Sequence, residues 1–127
     1  MNKQGNVGLR RIINATFFSI AGLRAAWRNE AAFRQECVLV AVLTPAAFWV
    51  GQSALEIAVL IASCWLVLVV ELLNTAVEAV VDRVGTDHHE LSGQAKDLGS
   101  AGVLVSLLLA AVVWGLLLWE RWRELSG

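Results

Sequence analysis

Long apolar runs separated by short polar segments predict three membrane-spanning helices. The clearest run, residues 98–119, contains no charged residue, and about 20 apolar residues are enough to cross a hydrocarbon core about 30 Å thick. The run 57–77 is interrupted by Glu71, and the run 31–50 contains two charged residues and Pro45, which is expected to kink the helix. We place the spans at about residues 31–50, 55–81 and 96–120.

The segment before the first span predicts a helix with one apolar face. The positions on that face follow i, i+3, i+4 spacing and are Leu9, Ile12, Ile13, Thr16, Phe17, Ile20, Leu23 and Trp27. We expect an amphipathic helix over about residues 6–28, lying in the headgroup plane with its arginines toward anionic lipid. The alternative is a helix that packs against its own bundle. No repeat or long linker divides the chain, so we predict a single domain, residues 1–127.

Composition agrees with a membrane protein. The chain is 57% apolar and its mean hydropathy is +0.64, whereas soluble domains are about 45–50% apolar. A net charge of −1 provides no field that would attract nucleic acid. Cys37 and Cys64 lie in apolar runs and are expected to be buried small residues rather than a disulfide or metal pair. The basic N-terminus lacks the apolar core and cleavage site of a signal peptide.

The distribution of Lys and Arg predicts the orientation of the spans. Eight of the ten lie in segments 1–34 and 82–97, and the loop 51–56 has none. The positive-inside rule places the N-terminus and the second loop in the cytoplasm and the C-terminus in the periplasm of a bacterial inner membrane. Trp49, Trp119 and Trp122 would then form an aromatic belt at the outer face.

One face of the second span is polar. At about 100° per residue, five side chains point the same way, and we call them the polar stripe: Glu71, Asn74, Thr75, Glu78 and Asp82. A charge at the bilayer centre costs about 2.5–3.5 kcal/mol on the mildest scale. Glu71 is expected about 8 Å below the cytoplasmic boundary, at about 1.5 Å per residue, where it would meet a lipid group. Glu78 and Asp82 would meet a water-soluble group, or else are a helix end that reaches water.

Other polar residues gather at the same membrane face. They are Arg28, Glu30, Arg34 and Glu36, where the first helix turns into the first span, and Lys96 and Asp97, just before the uncharged run of the third. Glu30 and Arg34 have the i, i+4 spacing of a solvated ion pair, which is the alternative to a functional role for Glu30. The neighbours His88, His89 and Glu90 lack the usual spacing of zinc ligands, so a solvated loop is favoured.

This set of groups suits phosphoryl transfer from a magnesium nucleotide to a lipid. Mg²⁺ binds through one or two carboxylates and shares its coordination shell with substrate phosphates, and a deeper carboxylate can accept the proton of a lipid hydroxyl. The chain has no GxxxxGK[ST] and no GxGxxG motif, so a water-soluble kinase fold is excluded. From the residues alone, lipid phosphotransfer is one option for an acidic cluster at a membrane face.

Residues 71–82, ELLNTAVEAVVD, fit the pattern E-x-[LIVM]-N-[ST]-[SA]-[LIV]-E-x-x-V-D. That pattern is the signature of the small prokaryotic integral-membrane diacylglycerol kinases, which segments 22–36 and 89–101 also resemble. The stretch around Glu30 resembles the diacylglycerol branch rather than the undecaprenol kinases. The resemblance implies a homotrimer with active sites between subunits, three transmembrane helices and a surface helix per subunit. It also implies transfer of the ATP γ-phosphate to 1,2-diacylglycerol, which yields phosphatidic acid.

The resemblance also implies roles for individual residues. Glu71 would be the proton acceptor with Asn74 as its polar partner, and Glu30 and Glu78 would bind Mg²⁺, the expected cofactor. The implied nucleotide site consists of Arg11, Phe18, Glu30, Glu78, Asp87, His88, His89, Lys96 and Asp97. The implied lipid contacts are Arg11, Arg24, Ala25, Ala26, Trp27, Ala32, Phe33, Arg34, Gln35, Glu36, Trp49, Val50, Gly51, Gln52, Ile57, Glu71, Ser100, Trp114, Gly115, Leu116, Leu117, Leu118 and Trp119. The chain departs from the commonest family residues at Phe18, Ile20, Ala21 and His88.

Small residues at positions 95, 99, 102, 106 and 110 allow close helix contact, either within one subunit or between subunits. We predict an all-α homotrimeric lipid kinase that uses ATP, Mg²⁺ and diacylglycerol in phospholipid metabolism, with membrane lipids but no nucleic acid as partners. The same-family alternative is an undecaprenol kinase. Alternatives of other classes are a small transporter or proton-conducting protein and a structural assembly subunit.

Overall fold

The computed structural model describes residues 7–85 and 87–127, and these residues are helical apart from short connections. The four helices are α1 (Leu9–Asn29), α2 (Ala31–Val50), α3 (Ala54–Val84) and α4 (Glu90–Ser126). Of these, α2, α3 and α4 are long and apolar enough to cross a membrane. The predicted all-helical class with three candidate spans is therefore confirmed. The predicted start of the first helix, near residue 6, lies outside the described residues.

The tight turn between α2 and α3 follows from two local sequence features. Ser53 caps α3 by accepting the Glu56 backbone N–H at 3.1 Å, and the Glu56 carboxylate accepts the Gln52 N–H at 3.0 Å. This is a variant of the S-x-x-E capping box in which the glutamate accepts the N–H of the residue before the N-cap. A Cβ on Gly51 would lie 2.7 Å from the Ile57 side chain, so only glycine fits where the chain reverses.

The centre of the bundle is the pairing of α3 with α2 and α4, and α1 contacts mainly α2. Leu60 of α3 is fully enclosed, and its carbonyl accepts the Trp114 indole N–H at 3.2 Å. That hydrogen bond satisfies the one polar group of a buried indole ring. Cys64 is buried beside them and Cys37 is half-buried; both are free thiols. Helix α2 runs continuously through Pro45.

Several tryptophans lie at one end of the bundle, which we call the tryptophan end. The Arg121 guanidinium lies 5.2 Å from the centre of the Trp49 ring, and the Gln52 side chain hydrogen-bonds to Glu124. These contacts bring the C-terminal ends of α2 and α4 together with the start of α3. Trp49, Trp119 and Trp122, the predicted aromatic belt, are all exposed there. The side of the membrane that this end faces stays a prediction.

Truncation of Leu60 tests this packing. We expect Leu60→Ala to lower the free energy of unfolding in detergent micelles by about 2–5 kcal/mol, because it leaves a cavity among closely packed core side chains. Leu73→Ala on the same helix is the matched control, since Leu73 is 63% exposed. Equal losses for the two variants, measured by reversible denaturation, would contradict the assignment of Leu60 to the core.

Candidate active site

The polar stripe of α3 becomes steadily more exposed toward the end of the helix. Glu71 is buried, with 6% of its surface exposed. Asn74, Thr75 and Glu78 are half-buried, and Asp82 is exposed. The stripe therefore joins a protein interior to a surface within three turns of helix. Such a gradient suits a reaction between one apolar and one water-soluble substrate.

A cleft of about 640 Å³ separates α1 from α3, and we call it the acidic cleft. Its polar lining consists of Ser19 and Asn29 on α1, Glu30 at the end of that helix, and Thr75, Glu78 and Asp82 on α3. Its remaining wall is largely apolar and includes Leu23, Ala25, Ala26, Leu72, Ala76 and Ala79. The structure thus brings Glu30 and Glu78, the two residues predicted to bind Mg²⁺, to one cavity.

The donor set of the acidic cleft fits a magnesium ion that arrives with a nucleotide. Within the described residues, no three His, Cys, Asp or Glu side chains converge as a complete protein cage for a metal. Mg²⁺ does not require one, since it is commonly held by one or two carboxylates together with substrate phosphates and water. Glu30 and Glu78 supply that number of carboxylates.

Glu30 occupies the single residue between two helices. It ends α1 and begins α2 in an extended conformation, with φ −121° and ψ 106°. The Arg34 guanidinium donates to the carbonyl of Trp27 at 2.7 Å and to that of Arg28 at 3.3 Å. The last carbonyls of a helix lack partners within the helix, so Arg34 completes the end of α1. In the part of the chain that the structure describes, Glu30 and Arg34 do not form the ion pair of the alternative interpretation. The Glu30 carboxylate is therefore available to a ligand.

A fifth carboxyl group, from Glu36 on α2, lies against Glu71. Glu36 Oε2 is buried and accepts no hydrogen bond. A buried acceptor without a donor is unfavourable by about 1–3 kcal/mol or more, so the arrangement favours entry of a group that donates a hydrogen bond. A lipid hydroxyl is such a group. The family resemblance implied that Glu36 is a lipid contact, but its contact with Glu71 was not predicted. The sequence feature that could have indicated this contact is a charged residue inside an otherwise apolar run.

Asn74 lies on α3 between the deep carboxylate, Glu71, and the shallower one, Glu78. Its side-chain Nδ2 donates to Glu78 Oε1 at 3.4 Å, and its Oδ1 is buried without a hydrogen-bond donor. The amide is therefore oriented with its NH₂ group toward Glu78, which lies about two helical turns closer to the surface than Glu71.

Several predicted nucleotide residues gather in a second cleft of about 260 Å³, which we call the loop cleft. It is lined by Asp82, Asp87, His88, His89 and Lys96, among others. Lys96 Nζ lies 2.8 Å from Asp82 Oδ1. His89 also has a structural role that the sequence did not reveal, since its Nδ1 accepts the Leu91 N–H at 3.1 Å and caps α4. Asp97 is exposed and lines neither cleft.

The remaining predicted contacts divide into separate groups. Arg11 and Phe18 are exposed on α1 and line neither cleft, whereas Arg24 and Trp27 line a shallow groove on that helix.

The predicted lipid residues around 49–57 and 114–119 lie toward the tryptophan end. They are far from Glu71, which is about 25 Å from the start of α3 at about 1.5 Å per residue. Buried members of the predicted lipid set are Ala26, Phe33, Val50, Gly51, Glu71 and Trp114. The others are exposed or half-buried: Arg11, Arg24, Ala25, Trp27, Ala32, Arg34, Gln35, Glu36, Trp49, Gln52, Ile57, Ser100, Gly115, Leu116, Leu117, Leu118 and Trp119.

Comparison with known proteins agrees with this arrangement. Residues 17–118 match the family described as prokaryotic diacylglycerol kinase. A diacylglycerol kinase of Escherichia coli K12 is 53% identical over 114 residues, which are 90% of this chain and 93% of the relative. The Haemophilus influenzae diacylglycerol kinase is 52% identical over 108 residues, covering 85% of this chain and 92% of its own length. A Helicobacter pylori diacylglycerol kinase is 40% identical over 108 residues, with coverage of 85% and 84%.

Proposed function

Because the chain belongs to the prokaryotic diacylglycerol kinase family, and is an ATP-dependent lipid kinase, we propose that it phosphorylates 1,2-diacylglycerol to phosphatidic acid in phospholipid metabolism. One observation carries this proposal: the buried Glu71 lies beside a cleft that presents Glu30 and Glu78. A base at lipid depth and two carboxylates near the surface are what a lipid alcohol and a magnesium nucleotide require.

In the proposed reaction, Glu71 accepts the proton of the diacylglycerol hydroxyl as that oxygen attacks the γ-phosphorus of ATP. The bond between the γ-phosphorus and the bridging oxygen breaks, ADP leaves, and the new phosphoester is phosphatidic acid. Burial of Glu71 excludes water that would compete with the lipid hydroxyl. The buried Oε2 of Glu36 supports this role, because it offers the hydroxyl a second acceptor while the lipid is being positioned.

Glu30 and Glu78 are proposed to hold Mg²⁺ together with the nucleotide. When bound, the ion would neutralise charge on the phosphates. The extended backbone at Glu30 and the hydrogen bond from Asn74 to Glu78 orient the two carboxylates. Lys96, beside Asp87, His88 and His89 in the loop cleft, is placed to bind further phosphate oxygens. Arg11, Phe18 and Asp97 stay part of the proposed nucleotide site on the family resemblance.

The assembly and its location complete the proposal. We propose a homotrimer in the bacterial inner membrane, with sites between subunits, a cytoplasmic N-terminus and a periplasmic C-terminus. Supporting this, all four helices expose large apolar side chains, such as Phe17 on α1 and Leu108 on α4. In water such surfaces would be unfavourable, whereas lipid or a neighbouring copy would cover them. We propose that α1 is amphipathic and lies in the headgroup layer, and that the chain is one domain.

A transfer assay tests the reaction. We expect the purified protein in mixed micelles to move labelled phosphate from ATP to 1,2-diacylglycerol when Mg²⁺ is present. Undecaprenol offered in the same micelles measures the selectivity between the two lipids. Phosphate transfer to undecaprenol alone would overturn the proposed substrate, and ion flux in proteoliposomes without ATP consumption would indicate a transporter.

Substitution of the proposed base separates chemistry from binding. We expect Glu71→Gln to lower kcat by about 10²–10⁴-fold, the usual contribution of a positioned general base, while the amide preserves the shape of the site and binding of the magnesium nucleotide. Glu120→Gln, an exposed carboxylate on the last turns of α4, is the control and should retain full activity. Substantial turnover by Glu71→Gln would contradict its role as base.

The proposed metal ligands are tested by their magnesium requirement. We expect Glu30→Gln and Glu78→Gln each to raise the Mg²⁺ concentration needed for half-maximal activity by about ten-fold or more, since a lost charged contact costs about 1.5–3 kcal/mol. Glu90→Gln at the exposed start of α4 provides the control. Unchanged Mg²⁺ dependence and nucleotide affinity in both variants would show that these carboxylates are not the metal site.

A further inference from the structure

Gly99 of α4 lies where this helix meets Asn74 of α3. A Cβ built on Gly99 would overlap Asn74 Oδ1 and would lie 3.2 Å from Asn74 Cγ. Gly99 has an ordinary helical backbone, since the one described glycine with a positive φ is Gly8. The requirement at Gly99 is therefore for space and not for an unusual conformation.

The other glycines of α4 show how local this requirement is. At Gly102, one turn further along, a Cβ would find its nearest neighbour, Val70 Cγ1, at an ordinary 3.6 Å. At Gly93 and Gly115 a Cβ would meet nothing within 4 Å. Of the four glycines within α4, only Gly99 is in a position where an added methyl group would collide with a neighbouring helix. The collision is with a polar side chain of the proposed site.

Asn74 has little freedom to move away. Its Oδ1 is buried against Gly99, and its Nδ2 donates to Glu78 Oε1 at 3.4 Å. The Cα–H bond that a side chain would replace at Gly99 points toward Oδ1, a weak but oriented contact. The amide is thus held from two sides, by α4 at its oxygen and by Glu78 at its nitrogen.

We propose that Gly99 is a positioning residue of the active site: its missing side chain lets the Asn74 amide turn its NH₂ group toward Glu78. This inference rests on the proposed function, in which Glu78 binds the magnesium nucleotide. A methyl group at Gly99 forces Asn74 to rotate or α4 to withdraw. Either change removes the hydrogen bond that orients the Glu78 carboxylate, although Gly99 itself touches no substrate.

The test compares Gly99→Ala with Gly102→Ala. We expect Gly99→Ala to lower kcat/KM for the magnesium nucleotide on the order of ten- to a hundred-fold, the usual result of misplacing a catalytic group by about 1 Å, and to raise the Mg²⁺ requirement. Gly102→Ala, which adds the same methyl group to the same helix, should stay within about two-fold of the unmodified protein. Gly99→Ala behaving like Gly102→Ala in both measurements would overturn the proposal.

A double-substitution cycle separates positioning from general damage to the helix pair. Asn74→Ala removes the obstructing amide, so adding Gly99→Ala should then cause no further loss of activity per folded protein and no further fall in Tm. An equal loss with and without Asn74 would show that Gly99→Ala acts through packing alone, and would overturn the inference. The Tm cycle does not depend on catalysis. If the unmodified protein fails to phosphorylate diacylglycerol, the proposed function fails, while coupling between Gly99 and Asn74 is still measured.

Discussion

A carboxylate buried in an apolar helix needs polar neighbours, and the arrangement of the bundle around Glu71 supplies them. Taking a charge out of water is costly unless other groups compensate. At this depth α2 brings the Glu36 carboxyl group against Glu71, and this contact stabilises the pair when one carboxyl group keeps its proton and donates it to the other. Asn74 lies one turn further along the same face of α3 and donates to Glu78. Helix α4 closes the contact through Gly99. The close approach of three helices near one polar residue is therefore the constraint from which the geometry of the site follows.

The exposure gradient along α3 divides the proposed chemistry between two environments. The buried end of the polar stripe lies where a lipid hydroxyl would be, and its exposed end opens into the acidic cleft and the loop cleft. In the proposed reaction, one helix would thereby supply groups to both substrates. The break at Glu30 adds a carboxylate from α1 to the same cleft, and Arg34 maintains that break by bonding to the carbonyls of Trp27 and Arg28.

Features that depend on one helix could be predicted from the sequence, and features that depend on the packing of two helices could not. Run length predicted α2, α3 and α4, and helical periodicity predicted the polar stripe. The i, i+4 pairing of Glu30 with Arg34 failed because Glu30 is extended rather than helical, so the spacing no longer places the two side chains on one face. The contact of Glu36 with Glu71 and the fit of Gly99 over Asn74 depend on the rotation and register of neighbouring helices, which side-chain volumes decide. The series of small residues in α4 left open whether they face the same subunit or another, and the structure places Gly99 and Gly102 against α3 of the same chain.

The two ends of the bundle differ in the role of their polar side chains. At the tryptophan end, the Ser53–Glu56 capping box, the close turn at Gly51 and the cation–π contact between Arg121 and Trp49 fix how α2, α3 and α4 enter their pairing. At the other end, Glu30, Glu78 and Asp82 line the acidic cleft, and Glu36 Oε2 and Asn74 Oδ1 are buried without a hydrogen-bond partner. Since α3 is a continuous helix from Ala54 to Val84, its placement at the tryptophan end also sets the direction in which Glu71 and Glu78 point. The rigidity of the site therefore comes from the long helices themselves.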